Sequence, residues 1–467
     1  MKKFYIGDKV TASVCEAFNN ESARLAWRGF TFTESELETK AELGKSNALI
    51  IGNMPVPTLP ADAEYVYRVC ECGIALRAAD YPSLMRGYFD LLMQVEYESN
   101  GALYIEEKEV RSNFKFKTRM IHFCAFNQTR LTELKKLVRL AAAVGYTHAV
   151  IEFWGMFPYD CCPALAWDEA YAKDDIRALA KEMRELGIEP IPMLNHLGHA
   201  TAARLNGGKH VALDREPKLY KYFTPDGWSW DVTSPLVREL LSKMRAELYE
   251  AFGSGEFFHL GLDEAYMYAM SKKHRDALPE YLAYVTDEVV KEGRRPMIWM
   301  DMFLPRASGT PHLCTCDSDE DMMKALSSLN KKTVLVDWEY NGEKTPFPTT
   351  KYISDRNVGF DIMCAPWTKR ANFDAAVKTV SELGIFGFMM TTWHTMVSET
   401  PAILGAARLF GAPMAPWSRL SGSEGIGGKE ECATLLRKLS FEGAKGYRDS
   451  GWCDEEILLN VGDKKFC

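Results

Sequence analysis

Between residues 117 and 411 the chain alternates short apolar runs with longer amphipathic stretches. Arg119–Phe123, Ala149–Phe153, Glu189–Leu194 and Phe257–Leu262 are short and almost wholly apolar, as are Pro296–Trp299, Thr333–Trp338, Phe360–Cys364 and Phe386–Trp393. Runs of this length, with no wet face, predict strands buried on both sides. The intervening segments place apolar residues at helical spacing and predict helices over Leu131–Val144, Asp174–Leu186, Pro235–Phe252, about Pro279–Glu292, and Pro401–Phe410. Several of these helices run into glycine just before the next strand, at Gly145, Gly187, Gly293 and Gly384. That is where a left-handed C-cap belongs. Eight strand–helix units in series predict an α/β chain folded as a (β/α)8 TIM barrel. An open doubly wound sheet is the alternative, but no glycine-rich phosphate loop follows any strand.

The first 112 residues follow another pattern. Ala48–Asn53 reads as a strand, Tyr65–Val69 and Gly73–Ala78 as a hairpin, and Tyr81–Val95 as a helix with Pro82 in its first turn. The expectation is a small α+β domain over 1–112, with the polar stretch Glu106–Lys115 as linker. The barrel then spans 113–420, and 421–467 forms a C-terminal helical extension.

Composition narrows the function. The 467 residues carry a formal charge of -8, which disfavours a nucleic-acid partner. No apolar run reaches the ~18 residues of a membrane helix, and the start Met1–Lys9 has no apolar leader core, so no membrane partner is expected. Of 12 cysteines, Cys124, Cys364 and Cys432 lie in apolar contexts and read as buried thiols in a reducing, cytoplasmic setting. Cys161-Cys162 and Cys314-Thr315-Cys316 lack zinc spacing, so neither metal nor cofactor is expected.

Active sites of such barrels lie where the strands end. Five of the 11 tryptophans fall there: Trp154, Trp299, Trp338, Trp367 and Trp393. Carboxylates join them at Glu152, Asp263-Glu264, Asp301 and Asp337. A lone strand-end tryptophan usually packs, and His122, His199 and Arg119 each have ordinary structural readings as core, cap or linker residues. Asp263 and Glu264 could simply start a helix. Gathered on one rim, aromatic faces and acids suit a sugar, and carboxylates are the working groups of glycoside hydrolysis. Both acids leave one strand end, so they are poorly placed as acid and nucleophile on opposite faces of a sugar. One is expected to donate a proton, with its pKa raised towards neutrality. The other, ionised, would hold a second group, and a 2-acetamido carbonyl could serve as the nucleophile.

His259-Leu260-Gly261-Leu262-Asp263-Glu264 resembles the His-x-Gly-x-Asp-Glu signature of glycoside hydrolase family 20, the β-N-acetylhexosaminidases. Tyr171–Arg177, Gly187–Pro192 and Gly198-His199-Ala200 are similar to other segments of that family, over roughly residues 60 to 410. The resemblance implies a retaining hydrolase that removes terminal β-linked N-acetylhexosamine through an oxazolinium. Glu264 would be the acid/base and Asp263 the partner of the acetamido group. It further implies substrate binding by Arg119, His199, His259, Trp299, Trp338 and Trp393. The chain departs from the family in lacking a tyrosine between Asp361 and Trp367 and a glutamate after Trp393, and in having Leu197 before Gly198. A barrel glycosidase for a sugar without an acetamido group, or a non-catalytic carbohydrate-binding barrel, are the alternatives. The oligomeric state is open.

Overall fold

The computed structural model describes residues 2–6, 10–14, 32–34, 47–52, 54–100, 102–200, 212–340, 342–393, 396 and 400–414. Its centre is a closed parallel barrel. The strands are β1 (Thr118–Cys124), β2 (His148–Glu152), β3 (Glu189–Met193), β4 (Phe257–His259), β5 (Arg295–Trp299), β6 (Val334–Trp338), β7 (Asp361–Ala365) and β8 (Gly387–Thr391). They pair in sequence order, and β8 returns to β1 through registers such as Arg119 with Phe388, so no edge is left open.

Alternation along each strand builds two cores. Met120, Val150, Ile191, Met297, Val336 and Met389 point inward and pack a dry barrel interior. Neighbours such as Ile121, Ile151, Ile298 and Leu335 point outward under the helices. The helix Leu131–Ala143 buries Leu134, Leu137, Val138 and Ala141, the spacing of one helical face. The expected cap glycines Gly145, Gly187, Gly293 and Gly384 all take positive φ. The fourth helix begins earlier than expected, at Lys272, and carries Pro279 inside it. A proline removes one hydrogen bond, and here His274, Leu278, Tyr281 and Leu282 bury a continuous face across it.

Before the barrel lies a six-stranded sheet in the order Phe32–Glu34, Val10–Val14, Asn47–Gly52, Gly73–Ala78, Tyr65–Cys70, Lys108–Arg111, with the helix Tyr81–Met93 against it. The hairpin forms as expected, with Tyr65 facing Ala78 and Cys70 facing Gly73. The expected linker Glu106–Lys115 is largely strand instead. Lys108–Arg111 adds to the sheet edge beside Val66–Val69, and Leu103–Glu106 pairs with Lys3–Ile6. Edge strands bury little and tolerate charged residues, so their sequence looks like a connector. Among the described residues no helix is long and apolar enough to cross a membrane. The expected extension 421–467 and Cys432 lie outside the described residues, whereas Cys124 and Cys364 are buried thiols.

Candidate active site

Asp263 and Glu264 sit in the loop that follows β4. Neither caps a helix: the next helical turn, Tyr266–Met270, has Ala265 at its N-cap and no side-chain capping bond. The loop instead turns sharply, with Gly261, Leu262 and Glu264 at φ of 67°, 80° and 44°. Left-handed backbone is costly for any residue but glycine. Among the described residues seven non-glycines adopt it, and Trp154, His199, Leu262, Glu264 and Trp393 belong to this rim. Close contact explains the glycines. A Cβ on Gly261 would lie 1.9 Å from Asn195 Oδ1, and one on Gly198 2.0 Å from the Asp263 carbonyl oxygen. The loops after β3 and β4 thus press together backbone to backbone.

The Glu264 backbone is held on two sides. Its N–H donates to Asp301 Oδ2 at 2.9 Å, and its carbonyl accepts from Trp228 Nε1 at 2.8 Å. His199 Nε2 lies 2.9 Å from Glu264 Oε2 and 3.3 Å from Asp263 Oδ2, so one imidazole nitrogen bridges the two acids. Trp228 packs on that imidazole with ring centres 4.6 Å apart.

Electrostatics separates the carboxyls. Burial pushes Glu264 up, but the hydrogen bond and charge of His199, with help from Tyr266 and His312, prevail and hold it at about 2. Burial drives Asp263 well above the usual carboxylate range, and the nearby charges of Asp301, Glu152 and Glu264 add to this. Asp301 is likewise raised by burial, to about 7. In the open site the surroundings therefore favour the anion at Glu264 and the protonated form at Asp263. This reverses the expectation that the proton donor itself is raised, because His199 favours the glutamate anion more than burial opposes it.

The acids lie in a cavity of about 280 Å³ walled by Phe126, Trp154, His199, Trp338, Tyr340, Trp367 and Trp393. Small-molecule sites run from roughly 300 to 1,000 Å³, so this one is sized for a single sugar ring. Trp338 donates its indole N–H to Asp301 Oδ1 at 3.2 Å and stacks on Tyr340 at 4.7 Å. Trp393 Nε1 donates to the Tyr340 hydroxyl at 2.6 Å. Burial above all lifts the Tyr340 phenol far beyond its ordinary range, so it stays neutral. Among the described residues, Asp263 Oδ1 is buried with no hydrogen-bond partner.

Of the eight residues proposed from sequence, Asp263, Glu264, His199, Trp338 and Trp393 meet in this cup. Three do not. Arg119 is fully buried near the start of β1 and points outward, since Met120 points in. Its guanidinium makes paired bonds of 2.8 and 3.0 Å to Glu64 and one of 2.8 Å to the Gly145 carbonyl. The rim lies five residues further along the strand, about 16 Å away at a strand's rise. Arg119 therefore joins the first domain to the barrel floor, away from the cup. His259 is buried below the cup, with burial holding its pKa well down. Its Nδ1 accepts the Gly261 N–H at 3.1 Å, which shapes the loop. Trp299 is wholly buried, 4.5 Å from the His259 ring and 5.8 Å from Trp393, and forms the layer beneath. The residues not foreseen as ligands or supports are Tyr340, Trp154, Trp367, Phe126, Trp228, Tyr266, His312 and the bracing role of Asp301. For Trp154, Trp367 and Asp301 the strand-end position was already a signal.

The family model described as "Glycosyl hydrolase family 20, catalytic domain" matches residues 130–399. Among solved structures, the chain is similar to an exo-β-N-acetylglucosaminidase from Vibrio harveyi in complex with N-acetylglucosamine. The identity is 15% and the TM-score 0.63, over 98% of this chain and 75% of that one. It is also similar to the Streptomyces plicatus N-acetyl-β-hexosaminidase in complex with Thio-NAglucal, at 13% identity and TM-score 0.61 over 94% and 91% of the two chains. The β-N-acetylhexosaminidase of Bacteroides fragilis matches at 14% identity and TM-score 0.59, over 89% of each chain. At these identities the likeness is one of fold. A search of curated proteins finds no match.

Proposed function

This chain belongs to glycosyl hydrolase family 20, and from that premise we propose that it is a retaining β-N-acetylhexosaminidase that removes terminal GlcNAc or GalNAc by substrate-assisted catalysis. The observation that carries this reading is the pair of adjacent acids bridged by His199 inside a tryptophan cup of one-ring size.

In this mechanism the acetamido carbonyl oxygen attacks C1 while the bond from C1 to the leaving oxygen breaks. Glu264 gives its proton to that oxygen. Asp263 faces the acetamido N–H, for which the unpartnered Oδ1 is a ready acceptor, and it stabilises the positive charge of the oxazolinium. Water then opens the ring at C1 as Glu264 takes its proton, and the original anomeric configuration returns. The chemistry needs the proton on Glu264 and the charge on Asp263, the reverse of the open site. His199 Nε2 touches both oxygens and can move the proton across. A bound acetamido N–H favours the Asp263 anion, because a hydrogen bond to the charged form lowers its pKa. Substrate binding thus sets the charges that the reaction uses.

Trp338, Trp393, Trp154 and Trp367 would cover the apolar faces of the pyranose. Among the described lining residues the acids and the Tyr340 phenol are polar groups that can read the hydroxyls. We divide the chain at 112 and 420, and place it in the cytoplasm, where its eight described cysteines, none of them in a disulfide, would remain reduced.

The test is turnover of an aryl β-N-acetylhexosaminide by Glu264→Gln, with the aryl β-glucoside as comparison. Loss of general acid/base action should lower kcat about 10²- to 10⁴-fold, and the glucoside should not be cleaved. Full activity in the variant, or equal cleavage of the glucoside, would refute the assignment.

A further inference from the structure

A cluster of three sulfur atoms lies outside the barrel, at the tip of the hairpin formed by Tyr65–Cys70 and Gly73–Ala78. The turn is Glu71-Cys72, and Cys70 pairs with Gly73 across it. Cys70 Sγ lies 3.1 Å from Met54 Sδ, and Cys72 Sγ lies 3.4 Å from the same atom. Cys72 is exposed, Cys70 half-buried and Met54 buried. Solvent therefore reaches the cluster from the side of the thiols, and the thioether forms its base.

The backbone is shaped to allow this approach. A Cβ on Gly73 would come within 2.9 Å of Met54 Cγ and 2.1 Å of the Ile51 carbonyl oxygen. Any other residue at 73 would push the Met54 chain away from the thiols. Lys2 pairs with Glu71 at 3.2 Å, which brings a cation to the same turn. The Cys72 thiol is raised, first by its hydrogen bond to Cys70 and then by burial, so the two thiols share a proton contact.

We propose that Cys70, Cys72 and Met54 form a trigonal three-sulfur site for a soft monovalent cation, Cu(I). Thiolate and thioether ligands select Cu(I) over the harder divalent ions. Zinc sites want four tetrahedral ligands, and this cluster offers three. With metal–thiolate bonds of about 2.3 Å, three sulfurs around one ion sit about 4 Å apart, so the two contacts to Met54 need to open by less than about 1 Å. Binding replaces the two thiol protons, which pass to solvent, and leaves a bis-thiolate complex of charge minus one beside Lys2. The pattern is hard to see in sequence, because Cys-x-Cys supplies two ligands and the third lies 16 residues upstream across the sheet.

The experiment is an anaerobic titration of the reduced full-length protein with Cu(I) against a chromophoric chelator. The wild type should take up one tight equivalent. The Cys70→Ser/Cys72→Ser double variant should bind that equivalent about 100-fold more weakly, and Met54→Leu about 10-fold. X-ray absorption at one equivalent should show three sulfur neighbours. Hydrolysis of the aryl glycoside, unchanged in all variants, reports that they are folded. Equal affinity in the double variant overturns the site. Unaltered affinity in Met54→Leu, or a linear two-sulfur spectrum, overturns the three-sulfur geometry.

Discussion

The Tyr340 hydroxyl enters the cup two positions after Trp338, from a strand end that the hydrophobic pattern already marks. Sequence alone gives it no role, because its value lies in what it meets: the Trp393 indole at 2.6 Å, and the carboxyls of Asp263 and Asp301. The family pattern puts its tyrosine after the seventh strand, whereas here a phenol arrives from the end of the sixth. Kept neutral, it can donate to the acetamido group or to a ring hydroxyl. Tyr340→Phe should therefore lower kcat/KM about 10-fold, the worth of one hydrogen bond in a site that excludes water. Unchanged kcat/KM would remove Tyr340 from substrate binding. Asp263, Glu264 and His199 were legible as residues because they stand in short motifs at strand ends. Trp228 and His312 were not, since they reach Glu264 from loops whose course depends on the folded barrel. Arg119 misled because a buried arginine at a strand start satisfies a motif and an ion pair equally well.

The eight strands were legible because strands buried on two sides leave continuous apolar runs, and the helices because one buried face repeats every turn. What escaped were elements with little to bury, such as the edge strand Lys108–Arg111. Strand β6 carries its own liability. Asp337 lies inside it, fully buried, with Oδ2 accepting from Thr349 at 2.8 Å and Thr350 at 2.6 Å. Burial raises its pKa to about 6 from 3.8. Well below pH 3.8 the group is protonated in both the folded and unfolded states and costs nothing. Between 3.8 and 6 the unfolded chain ionises while the folded one stays protonated, so stability falls, and above 6 the loss is complete. The full shift amounts to about 3 kcal/mol. Asparagine keeps an acceptor for the two hydroxyls and cannot ionise. Asp337→Asn should thus gain stability over wild type between pH 4 and pH 7 in urea unfolding. A difference that stays flat with pH would contradict this account.

At the scale of the whole molecule, the first domain is fixed to the barrel floor by Arg119, Glu64 and Arg86. Glu64 also accepts from Arg86 at 2.7 Å, and the Arg119 guanidinium lies 3.9 Å from the Phe114 ring. Removing one partner of a buried pair leaves an uncompensated charge, typically at a cost of about 3–5 kcal/mol. Arg119→Ala should lower Tm sharply while KM for the aryl glycoside stays as in wild type. A raised KM in protein that is still folded would return Arg119 to the sugar. A cleft of about 880 Å³ also lies here between domain and barrel. The acid pair lies in a smaller cavity at the other end of the barrel.

That smallness sets a kinetic condition. A cup that encloses one ring holds the freed monosaccharide by nearly every contact that had held the chain end. Only the contacts to the departing portion are surrendered on cleavage. The sugar must leave through the mouth by which the next chain end arrives, so product and substrate compete for one opening. Free hexosamine is therefore expected to inhibit competitively with substrate, and an inhibition pattern that leaves KM unchanged would contradict this.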